Sequence, residues 1–130
     1  MTTDLSMLVG SAILYFAVMF LYSFGRFATP GGFGWAFGNR DTALEVAPWV
    51  ARTVRAQQNL TENLAPFAIL VLVAHATGKA DALTALGATL FLGARVVHTG
   101  LYVGGVTYVR SFVWAAALCG EILILVRILR

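Results

Sequence analysis

Two polar stripes run through segments that are otherwise apolar enough to cross a bilayer. The first stripe contains Arg52, Arg55, Asn59 and Glu62, and the second contains Arg95, His98 and Tyr102. Both step by three or four residues, the spacing that places side chains on one face of a helix. An arginine at membrane depth costs roughly 2.5–3.5 kcal/mol on the mildest scale. The stripes therefore predict groups that pair, face a cavity or bind a ligand.

The composition is that of an integral membrane protein. Of 130 residues, 59% are hydrophobic and 12% are charged, whereas soluble domains carry about 25% charged residues. The net charge of +3 comes from arginines spread among apolar helices, so nucleic acid is not an expected partner. The single cysteine, Cys119, excludes an intrachain disulfide, and we expect it to be a small packing residue within its helix.

The hydrophobic pattern predicts an all-α, four-helix transmembrane bundle that forms a single domain over residues 1–130. The predicted spans are about 5–27, 49–76, 80–103 and 107–129, each long enough to cross a membrane. Glycines and Pro30 exclude a continuous helix over residues 29–48. No basic residue precedes the first apolar run, so this span is expected to be retained rather than cleaved. Ala85, Thr89 and Gly93 step by four and predict a close helix contact.

The distribution of basic residues predicts the orientation. One side of the membrane has six arginines in or near it, and the other has three basic residues. The first group is Arg26, Arg40, Arg52, Arg55, Arg95 and Arg110, and the second is Lys79, Arg127 and Arg130. The positive-inside rule places the first side in the cytoplasm and both termini on the other side.

Consecutive spans are antiparallel, so both stripes lie at the cytoplasmic level. Arg110 and Ser111, at the start of the fourth span, join them there. From Arg52 to Glu62 the stripe extends ~15 Å at 1.5 Å per residue. This length suits a small extended peptide or cofactor better than a single ion.

Two interpretations of the polar layer remain open. In the first, Glu62 pairs with Arg55 or Arg95, and Asn59 bonds across helices. In the second, arginines in excess over the single acid bind an anionic ligand through bidentate hydrogen bonds. Glu62 would then meet a ligand ammonium group or hold one arginine in place. The excess of positive charge favours the ligand.

Other titratable residues carry less information. His75 and His98 lie near opposite ends of their spans, so they cannot share a metal ion, and no metal site is predicted. His98 is expected to orient its neighbours by hydrogen bonding. Glu121, near the middle of the fourth span, is expected to be protonated or paired across a subunit boundary.

The motifs of the polar layer resemble those of the MAPEG superfamily, the membrane-associated proteins in eicosanoid and glutathione metabolism. The matching runs are RTVRAQQNLTENLAPF, GARVVHTGLY, YVRSFVW and FGNRD followed by PWV. The chain departs from the family pattern at Gln58, Ala65 and Trp114. The loop is similar to that of bacterial members, which implies a bacterial inner membrane.

The resemblance implies a homotrimer with glutathione bound between subunits on the cytoplasmic side. By matching position, the glutathione-binding candidates are Arg55, Asn59, Glu62, Arg95, His98 and Tyr102, and the catalytic candidates are Arg110 and Ser111. The implied function is that of a microsomal glutathione transferase: transfer to, or reduction of, a lipophilic electrophile supplied by the membrane. The alternative is a non-enzymatic protein that binds an anionic lipid or acts as a scaffold.

Overall fold

The structure, a computed structural model, describes residues 1–130 and contains only helices and connecting turns. The helices are α1 (Thr3–Phe27), α2 (Gly32–Phe37), α3 (Pro48–Ala76), α4 (Ala82–Gly104) and α5 (Val109–Leu129). All except α2 are long and apolar enough to cross a membrane. The prediction of an all-α fold with four membrane-spanning helices is confirmed, and the chain is a multi-pass membrane protein.

Helix boundaries follow from local backbone chemistry. Pro48 occupies the first turn of α3, where its missing N–H is not needed. Asp81 caps α4 in a reciprocal capping box with Thr84. Gly105 ends α4 with a positive φ of 80°, a conformation that glycine adopts without a Cβ penalty. The antiparallel connection between α4 and α5 is therefore short, and it brings the start of α5 beside the end of α4.

The glycine-rich connection between the first two spans contains the short helix α2. Its Trp35 donates from Nε1 to the backbone oxygen of Thr42, and its ring lies 5.2 Å from the guanidinium carbon of Arg26. Phe33 and Phe37 of α2 contact each other with ring centroids 4.8 Å apart. These contacts stabilise a six-residue helix that the local glycines disfavour, and the sequence pattern did not predict it.

The bundle core lies between α3, α4 and α5. Phe67 and Phe91 stack with centroids 3.9 Å apart and planes at 11°. α4 and α5 cross most closely at Gly87 and Gly120, where a Cβ on Gly120 would lie 2.5 Å from the Gly87 carbonyl oxygen. Many large apolar side chains remain outside the bundle, as expected where hydrocarbon and not water surrounds the helices.

Two expectations about the helix faces need correction. Cys119 is exposed on the outside of α5 and is not a packing residue within the subunit. Gly93 is exposed with open space around its Cβ position, so the close contact within the subunit uses Gly87 instead. Side chains in a uniformly apolar span carry no signal of which face packs inward, which explains both errors. Glu121, expected to be protonated or paired across a subunit boundary, is buried within the subunit at 6% exposure.

The end of the bundle opposite the polar layer is held by a separate set of polar contacts. Asp81 accepts a hydrogen bond from Arg127, and these two residues form the only ion pair in the chain. Lys79 donates to the backbone oxygen of Ile128. The Arg127 side chain, together with the backbone N–H groups of Thr84 and Leu83, holds the pKa of Asp81 below its usual value of 3.8. These contacts join the turn before α4 to the end of α5.

Candidate functional site

A cavity of about 380 Å³ opens at the end of the bundle where the two stripes meet. Its lining is supplied by three helices: Asn59 from α3, His98 and Tyr102 from α4, and Arg110, Ser111 and Trp114 from α5. Five of the eight predicted site residues are among these six. The volume lies within the range of roughly 300–1,000 Å³ that is typical of small-molecule pockets.

Arg110 and Tyr102 form one wall of this cavity. The guanidinium carbon of Arg110 lies 4.2 Å from the centroid of the Tyr102 ring, a cation–π contact that orients the charge. Arg110 belongs to the first turn of α5, where unpaired N–H groups add positive potential. The wall therefore presents a fixed positive charge to the cavity.

His98 lies deeper in the same wall. It is 3% exposed, and its ring meets Tyr102 edge to face, with centroids 5.7 Å apart. The Nδ1 atom of His98 has no hydrogen-bond partner. His98 thus contacts the Tyr102 ring, but it forms no hydrogen bond within the subunit, so the expected orienting role by hydrogen bonding is not seen there.

Arg95 lies behind the cavity and does not line it. This side chain is fully buried, and its Nη2 donates to the Asn59 side-chain oxygen at 2.8 Å. The expectation that Asn59 bonds across helices is confirmed. Arg95 therefore reaches the cavity only through Asn59.

Arg55 and Glu62 lie on the outer face of α3, and both are exposed. Neither forms an ion pair, because the only ion pair in the chain joins Arg127 and Asp81. The interpretation in which Glu62 is neutralised by Arg55 or Arg95 within the subunit is therefore wrong. Arg55 instead lines a second cavity of about 330 Å³ together with Arg26, and most of the remaining walls of this cavity are apolar.

A sequence model of the MAPEG family matches residues 5–130, which include both stripes and every residue of the cavity. The chain belongs to the MAPEG family. This family includes glutathione transferases and peroxidases, and its members are generally associated with glutathione. No curated protein and no solved structure matches this MAPEG chain.

The stripes did not predict Asn63, a polar residue beside this MAPEG cavity. Trp114, expected at the level of Arg110 and Ser111, lines the cavity, and its indole Nε1 donates to the Asn63 side-chain oxygen at 3.1 Å. Asn63 also donates to the backbone oxygen of Asn59. Asn63 lies one helical turn after Asn59, so extending the first stripe by four residues would have found it.

Arg52, the first residue of the first stripe, links two helices of this MAPEG chain. Its Nε donates to the backbone oxygen of Val103 at 2.9 Å, near the end of α4. The last carbonyl groups of a helix lack partners within the helix, and a nearby cation stabilises them. Arg52 thus joins the start of α3 to the end of α4.

Proposed function

We propose that this protein is a membrane-embedded, glutathione-dependent transferase or peroxidase that acts on a lipophilic electrophile. The observation that carries the proposal is the cavity in which Arg110 and Ser111 face Asn59, His98 and Tyr102. Nearby, Arg55 and Glu62 are exposed and unpaired. Anionic and cationic recognition groups therefore occur together at one level of a membrane protein whose family is associated with glutathione.

The residues present fit glutathione chemically. Glutathione carries two carboxylates, one ammonium group and one thiol. The arginines Arg55 and Arg110 match the carboxylates or a thiolate, and Glu62 matches the ammonium group. Asn59, Tyr102 and Ser111 add hydrogen-bonding groups for a peptide backbone. With Arg110 at the thiolate, the site thus has a charged partner for one carboxylate and for the ammonium group, and the neutral donors are left for the second carboxylate.

Glutathione, when bound, supplies the thiol nucleophile. The Arg110 guanidinium stabilises negative charge on sulfur, because it is always protonated and is held against the Tyr102 ring. The Ser111 hydroxyl, next along α5 and also in the cavity wall, donates a second hydrogen bond to the same charge. Holding the thiol beside the apolar phase brings it close to a membrane-dissolved electrophile, and this proximity lowers the barrier.

A homotrimer completes this proposed site. Arg55 and Glu62 lie within a membrane-spanning helix, yet they are exposed and have no ion-pair partner in the subunit. Charged side chains facing hydrocarbon are costly, so a second copy of the chain is expected to cover this face. We place the site on the cytoplasmic side of a bacterial inner membrane, with both termini on the opposite side.

The competing function is binding of an anionic lipid. The second cavity favours it, because Arg26 and Arg55 lie there among apolar walls that suit an acyl chain. Thermal unfolding of the protein in detergent separates the two functions. Glutathione at a hundredfold excess over its Kd stabilises a specific site by about 2.7 kcal/mol, so the unfolding temperature should rise with glutathione.

Phosphatidylglycerol is the matched ligand for the competing function. A rise in unfolding temperature with phosphatidylglycerol alone, and none with glutathione, would replace the proposed function by lipid binding. A protein that glutathione stabilises can then be screened with conjugation and peroxide-reduction substrates to identify the electrophile.

A further inference from the structure

Arg95 and Glu121 are both buried in the bundle, and both have hydrogen-bonding atoms without a partner. Arg95 is fully buried, and its Nε and Nη1 donors are unpaired. Glu121 is 6% exposed, and its Oε1 acceptor is unpaired. A buried polar group without a partner costs about 1–3 kcal/mol, and a charged one costs more. Gln57, His98 and Thr99 also have buried unpaired atoms, but Glu121 is the only acid among these residues, so it alone complements the charge of Arg95.

Helix geometry directs the two side chains toward each other. Gly120 packs against the backbones of Gly87 and Phe91, so Glu121, the next residue of α5, lies between the levels of these two residues. Arg95 is four to eight residues further along α4, or ~6–12 Å along the axis. Side chains tilt toward the N-terminus of their own helix, and α4 and α5 are antiparallel. Arg95 therefore extends toward the Glu121 level, and Glu121 extends toward the Arg95 level.

Arg95 and Glu121 are the only oppositely charged residues whose buried side-chain atoms lack a partner. The Glu121 carboxylate lies more than 4 Å from any cationic atom, so the two side chains form no direct ion pair in this conformation. The Phe67–Phe91 stack and Ile124, which are fully buried, fill the adjoining core. Arg110 faces the cavity and the Tyr102 ring.

We propose that Glu121 is the internal counterion of Arg95, and that this pair is a positioning device for Asn59. The guanidinium group only donates hydrogen bonds, so the Asn59 side chain must turn its oxygen toward Arg95. The amide nitrogen is then the end left for the cavity that Asn59 lines. Glu121 fixes Arg95, Arg95 fixes the amide, and the amide presents donors to a ligand acceptor.

The effect of Asn59 positioning on glutathione binding rests on the proposed function. The pairing of Arg95 with Glu121 does not depend on that function. Infrared difference spectroscopy of the ligand-free protein tests the pair directly. The difference between wild type and Glu121→Gln should show the loss of an ionised carboxylate. In an Arg95→Met background, the same difference should show the loss of a protonated carboxyl group, because the counterion is gone. Glu45→Gln, at an exposed loop residue, should show an ionised carboxylate in both backgrounds.

Two infrared results would overturn the pairing. One is a protonated Glu121 in the wild type. The other is an ionised Glu121 that remains ionised in Arg95→Met. If a single variant does not fold, Arg95→Met combined with Glu121→Met decides, because removing both charges should restore much of the stability that either single change removes. A double variant no more stable than the singles would contradict the pair.

The positioning role is tested by a double-mutant cycle on glutathione affinity, measured by calorimetry. Glu121→Gln should weaken binding roughly tenfold, which corresponds to about 1.4 kcal/mol. In an Asn59→Ala background, the same change should have no further effect, because the group through which it acts is absent. An equal loss in both backgrounds would contradict action through Asn59. A wild type that does not bind glutathione would refute the proposed function, and the infrared result would still decide the pair.

Discussion

The guanidinium carbon of Arg110 lies 4.2 Å from the centroid of the Tyr102 ring, at the point where α4 ends and α5 begins. This contact joins two residues from different motifs into one wall of the cavity. It also explains how an arginine with a long, flexible side chain is held at one position. The proposed chemistry depends on this fixed charge.

Glu62 is expected to bind the ammonium group of glutathione. Its side chain is exposed and has no ion-pair partner within the subunit. A charge-assisted hydrogen bond contributes about 1.5–3 kcal/mol, so Glu62→Gln should weaken glutathione binding at least several-fold. Calorimetry measures the affinity, and Glu45→Gln is the matched control at an exposed residue outside the site. Equal affinities for Glu62→Gln and wild type would refute this role.

The sequence was sufficient to predict most residues of the polar layer but not their partners. Helical spacing correctly placed Asn59, His98 and Tyr102 at one level, because a period of three to four residues is a property of the chain itself. It could not predict that Glu62 stays unpaired, since this depends on how α3 rotates against α4. The close contact at Gly87 instead of Gly93 was missed for the same reason, because several small residues of α4 are equally suited to packing.

Glu121 illustrates this limit most clearly. From sequence position, Glu62 is the only acid predicted to lie in the polar layer. In the pairing that we propose, antiparallel packing of α4 and α5 directs the Glu121 side chain toward Arg95 from ten residues beyond Ser111. The positive excess in the layer would then be smaller than the sequence implied, although Arg55 and Arg110 still face outward or into the cavity.

The protein is expected to be a trimer. Covering Arg55 and Glu62 requires a second copy against the outer face of α3, and the family resemblance implies threefold symmetry. Native mass spectrometry from detergent should detect three copies, with dissociation favoured when Glu62 and Arg55 are both replaced by leucine. Detection of monomers alone, under conditions in which the protein remains folded, would count against a shared site.

Both termini are expected to face away from the cytoplasm. The six arginines on the side of the polar layer outnumber the three basic residues on the other side, and this asymmetry sets the orientation. A reporter enzyme that works only outside the cytoplasm should be active when fused after Arg130. A second reporter, active only inside the cytoplasm, should be inactive when fused at the same position. If instead the second reporter is active and the first is not, the polar layer lies on the non-cytoplasmic side.

Asp81 is expected to stabilise the far end of the bundle in a pH-dependent way. Its folded pKa is depressed by the hydrogen bond from Arg127, so its contribution is present above about pH 4 and is lost as the pH falls through the folded value. Asp81→Asn keeps a good helix cap but removes the charge. The variant should unfold at a lower temperature than wild type near neutral pH, and the difference should shrink in acid.

The exposed loop residue Asp41 provides the control for this experiment. Asp41→Asn should leave the unfolding temperature unchanged at every pH. A constant difference between Asp81→Asn and wild type across the acid range would show that the charge of Asp81 contributes nothing.

The most direct test of the account is a titration of thiolate absorbance in the far ultraviolet for glutathione bound to wild type and to Arg110→Ala. A free thiol ionises near pKa ~8.5. We predict that glutathione bound to the wild type ionises at a lower pH than the free thiol. In Arg110→Ala the pKa of bound glutathione should rise again, and turnover should fall more than binding. The rise in this pKa should be smaller in Ser111→Ala and almost absent in Cys119→Ala. An unshifted titration in Arg110→Ala would move the role to Ser111 or Tyr102, and the absence of a thiolate band in the wild type would contradict the proposed chemistry.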